Sequence, residues 1–234
     1  VLDAVPAIVW TTWTRDAREV KGNRTAAELL RLPPGVNQSK TAPSGEAPTH
    51  FEVHHAGRPI APADLPLQRA ARGEEVRDCE VELVFDDGAR LHLLGNTAPL
   101  RDGDGGVYGA VAAFLDVTAR KRAEDAMRES EQRFRLLADT CPLMIWVTGP
   151  DGALEFLNRA HRRFFGWADD EAGTFDWRAR IHLDDAVRYL EAFDAALRQR
   201  APFSDRARFR RADGAWRWIE SYSNPRSASS GEFL

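Results

Sequence analysis

Apolar and polar positions follow one another along this chain in two successive rounds of the same order. Ile8, Val9 and Trp10, and later Met144, Ile145 and Trp146, are short runs of strand-forming residues. In the second round "GPDG" (Gly149 to Gly152) supplies a turn and "ALEFL" a further strand, which makes the opening a hairpin. Asn23 and Asn158 each precede a short helical stretch as candidate N-caps, followed by apolar Leu29, Leu30 and Leu32 or Phe164, Phe165 and Trp167. In "IHLDDAVRYLEAFDAALRQ" the residues Val187, Leu190, Phe193, Ala196 and Leu197 recur at helical spacing, with Asp184 or Asp185 as the expected cap. The first round offers only "PADLPLQRAARGEE", a shorter helix with Asp64 ahead of Leu65-Pro66 and Gly73 as its stop. "CEVELVF" alternates, with Cys79, Val81, Leu83 and Phe85 on one face, and Asp87-Gly88 turns it into "ARLHLLGN". Val107 to Leu115 is a continuous apolar run, as a strand in the middle of a sheet requires.

The two rounds are an internal repeat. "PAIVW" returns as "PLMIW" at an offset of 136, the segment around Asn23 returns around Asn158 at 135, and "FDDGARLHLL" returns as "RRADGAWRWI" at 126. The first copy therefore holds about ten extra residues. They are expected in the polar run Asn37 to Thr49, which has no apolar period and reads as a loop. Two strands, short helices, one longer helix and three strands predict an α+β domain, a five-stranded antiparallel sheet with short helices on one face, present twice. The expected layout is a first domain over 1–117, a linker helix over 118–137 and a second domain over 138–234.

At these residues the chain resembles the PAS family of sensor modules. The Asn-Arg helix start, "RPIAPADLPLQRAARGEE", the Asp-Gly hairpin and the "DVTARKRAE" exit carry the likeness in copy one, and "HLDD" with "RFRRADGAWRWI" carries it in copy two. The resemblance implies a tandem sensor region of a bacterial sensor histidine kinase. It also implies a cavity under the sheet that takes a small ligand, haem or flavin in such domains. Trp146, Phe156, Phe164, Trp177 and Trp218 are the large aromatics of copy two available to line it, and His182 stands where haem-binding members carry their iron ligand. The Asn-Cys-Arg-Phe motif of the light-sensing branch is absent from "LNRAHRRFFGW". The cofactor is left unassigned, with none favoured over haem or flavin. The family's final strand is central in its sheet, so copy two, which stops at "GEFL", is expected to lack most of that strand.

Between the copies lies "DVTARKRAEDAMRESEQRFRLL". Ala123, Met127, Ser130, Phe134 and Leu137 are spaced four, three, four and three, the seam of a coiled coil. Off the seam, Glu124 with Arg128, Glu129 with Arg133 and Glu131 with Arg135 are i,i+4 pairs, each worth about 0.2–0.5 kcal/mol. One Ala and one Ser in the seam make self-association through it weak.

Composition narrows the function. In 234 residues, 43% hydrophobic and 29% charged, no apolar run reaches the roughly 18 residues of a membrane span, so cytoplasmic location without membrane contact is expected. A start at Val1 suggests excision from a longer protein. The net charge of -4 gives no general reason for a nucleic-acid partner. Arg206, Arg208, Arg210 and Arg211 with Phe209, Trp216 and Trp218 form a basic-aromatic cluster, but strand alternation accounts for it by turning Ala207 and Phe209 inward and the arginines to water. "RDGDGGVYG" lacks the ligand ladder of a calcium loop and reads as a turn, and His54-His55 point apart. Cys79 and Cys141 stand alone, as in a reducing compartment. No nucleophile motif, phospho-acceptor box or ATP-binding box is present. The expected function is a non-catalytic sensory and dimerisation region, a homodimer through the linker that relays binding of a small molecule or partner to other domains of the same protein. The alternatives are a ligand-free interaction and spacer module, or a haem or flavin redox sensor.

Overall fold

In a computed structural model, which describes residues 7–167, 176–228, 230, 231 and 233, the apolar runs of the first copy become strands of one antiparallel sheet. They are β1 (Ile8–Thr12), β2 (Lys21–Gly22), β3 (Phe51–His55), β4 (Arg58–Pro59), β5 (Val76–Phe85), β6 (Arg90–Arg101) and β7 (Val107–Asp116). Their order is β2-β1-β7-β6-β5-β3-β4. The continuous apolar run is thus central, paired with β1 on one side and β6 on the other. The sheet has seven strands where five are expected, because β3 and β4 form a hairpin on the outer edge of β5, Phe51 opposite Phe85 and Val53 opposite Leu83. That hairpin covers an edge whose backbone groups would otherwise be open to pairing with another chain.

Helices α1 (Arg24–Leu29) and α2 (Pro66–Ala71) complete the first unit, which spans Val1–Met127. Asp64 does not cap α2. It ends a single 3-10 turn, Pro62–Asp64, and Pro66 starts the helix at a position whose N–H has no intrahelical use. Ile8, Val20, Leu30, Phe51, Leu83, Leu93 and Phe114 form the core. Residues 37–49 carry neither strand nor helix, yet Gln38 and Ser39 are buried. Gln38 Oε1 accepts from Trp10 Nε1 at 2.7 Å and Ser39 Oγ donates to the Ala17 carbonyl at 2.5 Å, so this polar loop fills part of the interior.

Helix α3 (Thr118–Thr140) runs three residues beyond the expected end. Asp116 Oδ1 accepts from the Thr118 N–H and Thr118 Oγ1 accepts from the His92 N–H, both at 2.8 Å, and Lys121 meets Glu80 at 2.9 Å. These contacts tie its first turn to β6 and β5.

The second unit, Arg128–Leu234, contains β8 (Trp146–Thr148), β9 (Leu154–Leu157), α4 (Arg159–Phe165), α5 (Leu183–Gln199), β10 (Phe203–Arg210) and β11 (Trp216–Ser223). Among the described residues its strands form two separate antiparallel pairs, β8-β9 and β10-β11, in place of one five-stranded sheet. The cap of α5 is His182, whose Nδ1 accepts from the Asp184 N–H at 3.3 Å. Asp185, Tyr189 and Phe193 are the buried positions of that helix and Val187 is exposed. Of the expected stripe Phe193 is in the core and Leu190, Ala196 and Leu197 pack against it, while Asp185, polar but paired with Arg208, faces inward in place of Val187. Phe165, Ile181, Tyr189, Phe193, Phe203, Ala207 and Phe209 make the core. No helix among the described residues is long and apolar enough to cross a membrane.

One side chain organises each unit. Asn158, fully buried, accepts on Oδ1 from the N–H groups of Ile145 (2.9 Å) and His161 (3.1 Å) and donates through Nδ2 to the carbonyls of Ala138 (2.7 Å) and Leu143 (2.8 Å). Asn23 accepts from Val9 (3.2 Å) and Ala26 (3.0 Å) and donates to Ala7 (2.8 Å). Replacing Asn158 by Ala leaves several buried backbone groups without partners, and we expect a loss of about 2–4 kcal/mol in urea unfolding of the second unit. Asn158→Asp keeps the acceptor and loses both donated bonds, so it is expected to be no more stable than half-way between the two.

Candidate functional site

The interiors of the two units differ in what they leave unfilled. In the first, the space between the sheet and α2 is about 90 Å³, bordered by Trp10, Gln38, Phe51, Gln68 and Phe114. That is below the roughly 300 Å³ at which small-molecule sites begin. The second holds a cleft of about 490 Å³. β8 and β9 contribute Trp146, Thr148 and Leu154 to its walls, α4 contributes His161 and Phe165, α5 contributes Tyr189 and Phe193, and β10 with β11 contributes Phe209 and Ile219 to Tyr222.

Its surface is apolar apart from a few groups. The Tyr189 hydroxyl donates to Ser221 Oγ at 2.7 Å, and burial pushes its pKa up to about 12. His161 is buried, and its Nδ1 has no hydrogen-bond partner. Its ring lies 4.8 Å from that of Phe165 and stacks with that of Trp167 at 6.1 Å. Burial among these rings pushes the His161 pKa down to about 4, so the imidazole is neutral near pH 7. A buried polar nitrogen left unpaired is costly, and the exceptions in folded proteins invite a functional account.

Of the aromatics expected around a cavity, Trp146 and Trp177 line the cleft, and Trp177 packs edge-on against Phe193 at 5.2 Å. The other three do not. Phe156 faces α3, with its ring 5.1 Å from that of Phe134. Phe164 packs edge-on against Phe165 at 4.8 Å, and Trp218 is exposed beneath the guanidinium groups of Arg206 and Arg208. His182 is also outside the lining of the cleft, serving as a helix cap with its ring 4.7 Å from Trp216. His161 lies in the short helical stretch expected after Asn158, where a basic neighbourhood gives no sign of burial, and only the packing of α4 turns this residue inward.

Ala207 and Phe209 of the basic-aromatic cluster are buried, as alternation predicts. Arg208 is engaged by Asp184 at 3.1 Å and Asp185 at 2.7 Å, and its guanidinium and N–H hold the Asp185 carboxyl well below the usual carboxylate range. Among the described residues no cluster of metal-ligating side chains occurs.

The seam of α3 is open to solvent: Ala123 and Ser130 are exposed, and Met127, Phe134 and Leu137 are 76%, 49% and 65% exposed. Arg133 meets Glu129 at 2.7 Å and Arg135 meets Glu131 at 2.9 Å, as spaced, while Glu124 reaches back to Arg120 at 2.9 Å.

The sequence matches the PAS fold over residues 2–122 and again over 154–234. It is similar to the protein y4lL of Sinorhizobium fredii, 33% identical over 95% of this chain and 26% of that protein. It is also similar to the two-component sensor PprA of Pseudomonas aeruginosa, 32% identical over 60% of this chain and 15% of that protein. The chain thus spans about a quarter or less of these relatives. Among solved structures, an RNA-binding light-oxygen-voltage receptor aligns over 97% of this chain and 92% of its own, with 15% identity and a TM-score of 0.36.

His161 makes unit 2 sensitive to acid. Its folded pKa of about 4 lies below the ordinary 6.5, so stability is complete above pH 6.5 and falls as the unfolded chain takes up the proton between pH 6.5 and 4. The expected loss by pH 4.5 is about 2–3 kcal/mol. Urea unfolding of wild type and His161→Phe at pH 7 and 4.5 measures it, and the variant should lack this component.

Proposed function

The chain belongs to the PAS-fold family, with two copies of the fold in tandem, and from that premise we propose that it is a non-catalytic sensory and dimerisation region of a signal-transduction protein. A sensor histidine kinase is the parent that its likeness to a two-component sensor supports. In this reading α3 of one chain packs along α3 of a second, and binding at either PAS domain biases two arrangements of the helix pair. Only a difference in affinity between those arrangements transmits anything. The observation that carries the proposal is the seam of α3, where Met127, Phe134 and Leu137 are apolar, in heptad register and exposed. Their exposure is costly unless a partner covers them. Ala123 and Ser130 in the same seam hold the affinity low, which suits a helix pair that must rearrange.

A second reading adds a small-molecule ligand in the unit 2 cleft, supported by its volume and by the unpartnered Nδ1 of His161. The small interior of unit 1 instead suits the alternative role of interaction module and spacer.

Sedimentation at high micromolar concentration is expected to show a dimer that becomes a monomer when Met127 and Leu137 are both replaced by Glu. A monomeric wild type at that concentration removes the dimer from the proposal. For the ligand, non-denaturing mass spectrometry of freshly purified protein should show added mass that His161→Phe loses, and the bare chain mass in wild type would refute that reading.

A further inference from the structure

Charge is missing from the inner wall of the unit 2 cleft. Among the described residues that line it, Glu220 carries the one acidic or basic side chain besides His161. β11 alternates, so Ile219 and Ser221 turn toward the core while Glu220 and Tyr222 are exposed. Glu220 stands opposite Arg206 on the outer side of the β10-β11 pair. Arg178 lies over the Trp177 ring at 5.2 Å, but it is already paired with Asp194 at 3.4 Å and does not belong to the lining. An ionic group inside the cleft would therefore lose its water and gain no counter-charge, which is costly for either sign.

The polar groups of the inner wall are neutral. Burial keeps the Tyr189 phenol protonated, and its hydroxyl donates to Ser221 Oγ at 2.7 Å. His161 is more than nine-tenths buried, with Nδ1 lacking a partner, and burial keeps its imidazole uncharged near pH 7. A neutral imidazole has one donor and one acceptor nitrogen. A hydroxyl both gives and accepts, so it pairs with either tautomer, whereas a carboxylate serves only one.

The rest of the wall is built of crossed aromatic rings. Trp177 meets Phe193 edge-on at 5.2 Å, Tyr189 meets Phe209 edge-on at 5.5 Å, and Trp146 is tilted against Phe193 at 6.1 Å. A flat ring seated among such edges and faces gains pairing of ring quadrupoles beyond the burial of its area, and a saturated ring of the same size does not. The interior of unit 1 differs on each count. It offers about 90 Å³, and the Lys40 side chain is on its border.

We infer that the ligand of the unit 2 cleft is an uncharged phenol or aromatic alcohol, flat in its ring system, whose hydroxyl pairs with the His161 imidazole. Such a class presupposes that the cleft takes a small molecule at all, and the two statements fail separately.

Calorimetric titration of the 234-residue chain at pH 7 tests it with probes of one frame: 2-naphthol, naphthalene, 2-naphthoate and decahydro-2-naphthol. 2-Naphthol is expected to bind about tenfold more tightly than naphthalene, which lacks the hydroxyl, and at least about tenfold more tightly than the 2-naphthoate anion. The saturated alcohol should be several-fold weaker than 2-naphthol. His161→Phe should bring 2-naphthol and naphthalene to equal affinity while both still bind. 2-Naphthoate as tight as 2-naphthol, or the saturated alcohol as tight, overturns the class. An unchanged preference for 2-naphthol in His161→Phe overturns the role of His161. If that variant does not fold, the nitrogen-15 resonances of the His161 ring in wild type decide: a shift on adding 2-naphthol supports the pairing, and none overturns it. Binding of all four probes alike overturns the class and leaves the cleft a ligand site, whereas binding of none refutes the ligand reading itself.

Discussion

A buried asparagine amide at the entry of each unit is the constraint on which the remaining contacts depend. A strand that ends, a loop and a helix that begins all leave backbone groups unpaired, and burying them together is costly. Asn158 resolves this in one residue because its amide has both an acceptor and two donors. It joins the start of β8, the first turn of α4 and the last turn of α3. Asp139 adds to the junction by accepting from the Arg159 N–H at 2.6 Å. The position of His161 in the cleft and the end of the linker helix are therefore set by the same side chain.

Unit 1 shows what a filled version of this architecture looks like. β7 supplies small inward residues, Ala110 and Ala112, and one large one, Phe114, which meets Trp10 edge-on at 5.9 Å. Gln38, brought in by the polar loop, satisfies the indole N–H that would otherwise be buried alone. Unit 2 has neither that loop nor a strand between β8 and β11 among its described residues. Its larger aromatics pack on one another across α4, α5 and β10, and the space they leave borders the open strand edges.

α3 is a helix of different character. Its ion pairs are exposed and each contributes little, but together they favour a helical segment with few packing contacts along its length. Its ends differ: the first turn is bonded to β5 and β6, and the last is held by Asn158. The apolar seam between them is stabilising only when something covers it.

The duplication, the α+β class, the central place of Val107 to Leu115, the inward set Val81, Leu83 and Phe85, and the helix after Asp116 were legible in the sequence. Each follows from periodicity, capping or spacing, which act over a few residues. The inward turn of Gln38, the hairpin of residues 51–59, the role of His182 as a cap, the burial of Asp185 on α5 and the burial of His161 were not. These depend on which polar group finds a partner and which is shut away from water, and that is decided by residues distant in sequence: Trp10 for Gln38, Phe85 for Phe51, Arg208 for Asp185, and the aromatic walls of the cleft for His161. Local pattern determines which segments form strands and helices, whereas the environment of each polar side chain exists only after those segments have packed.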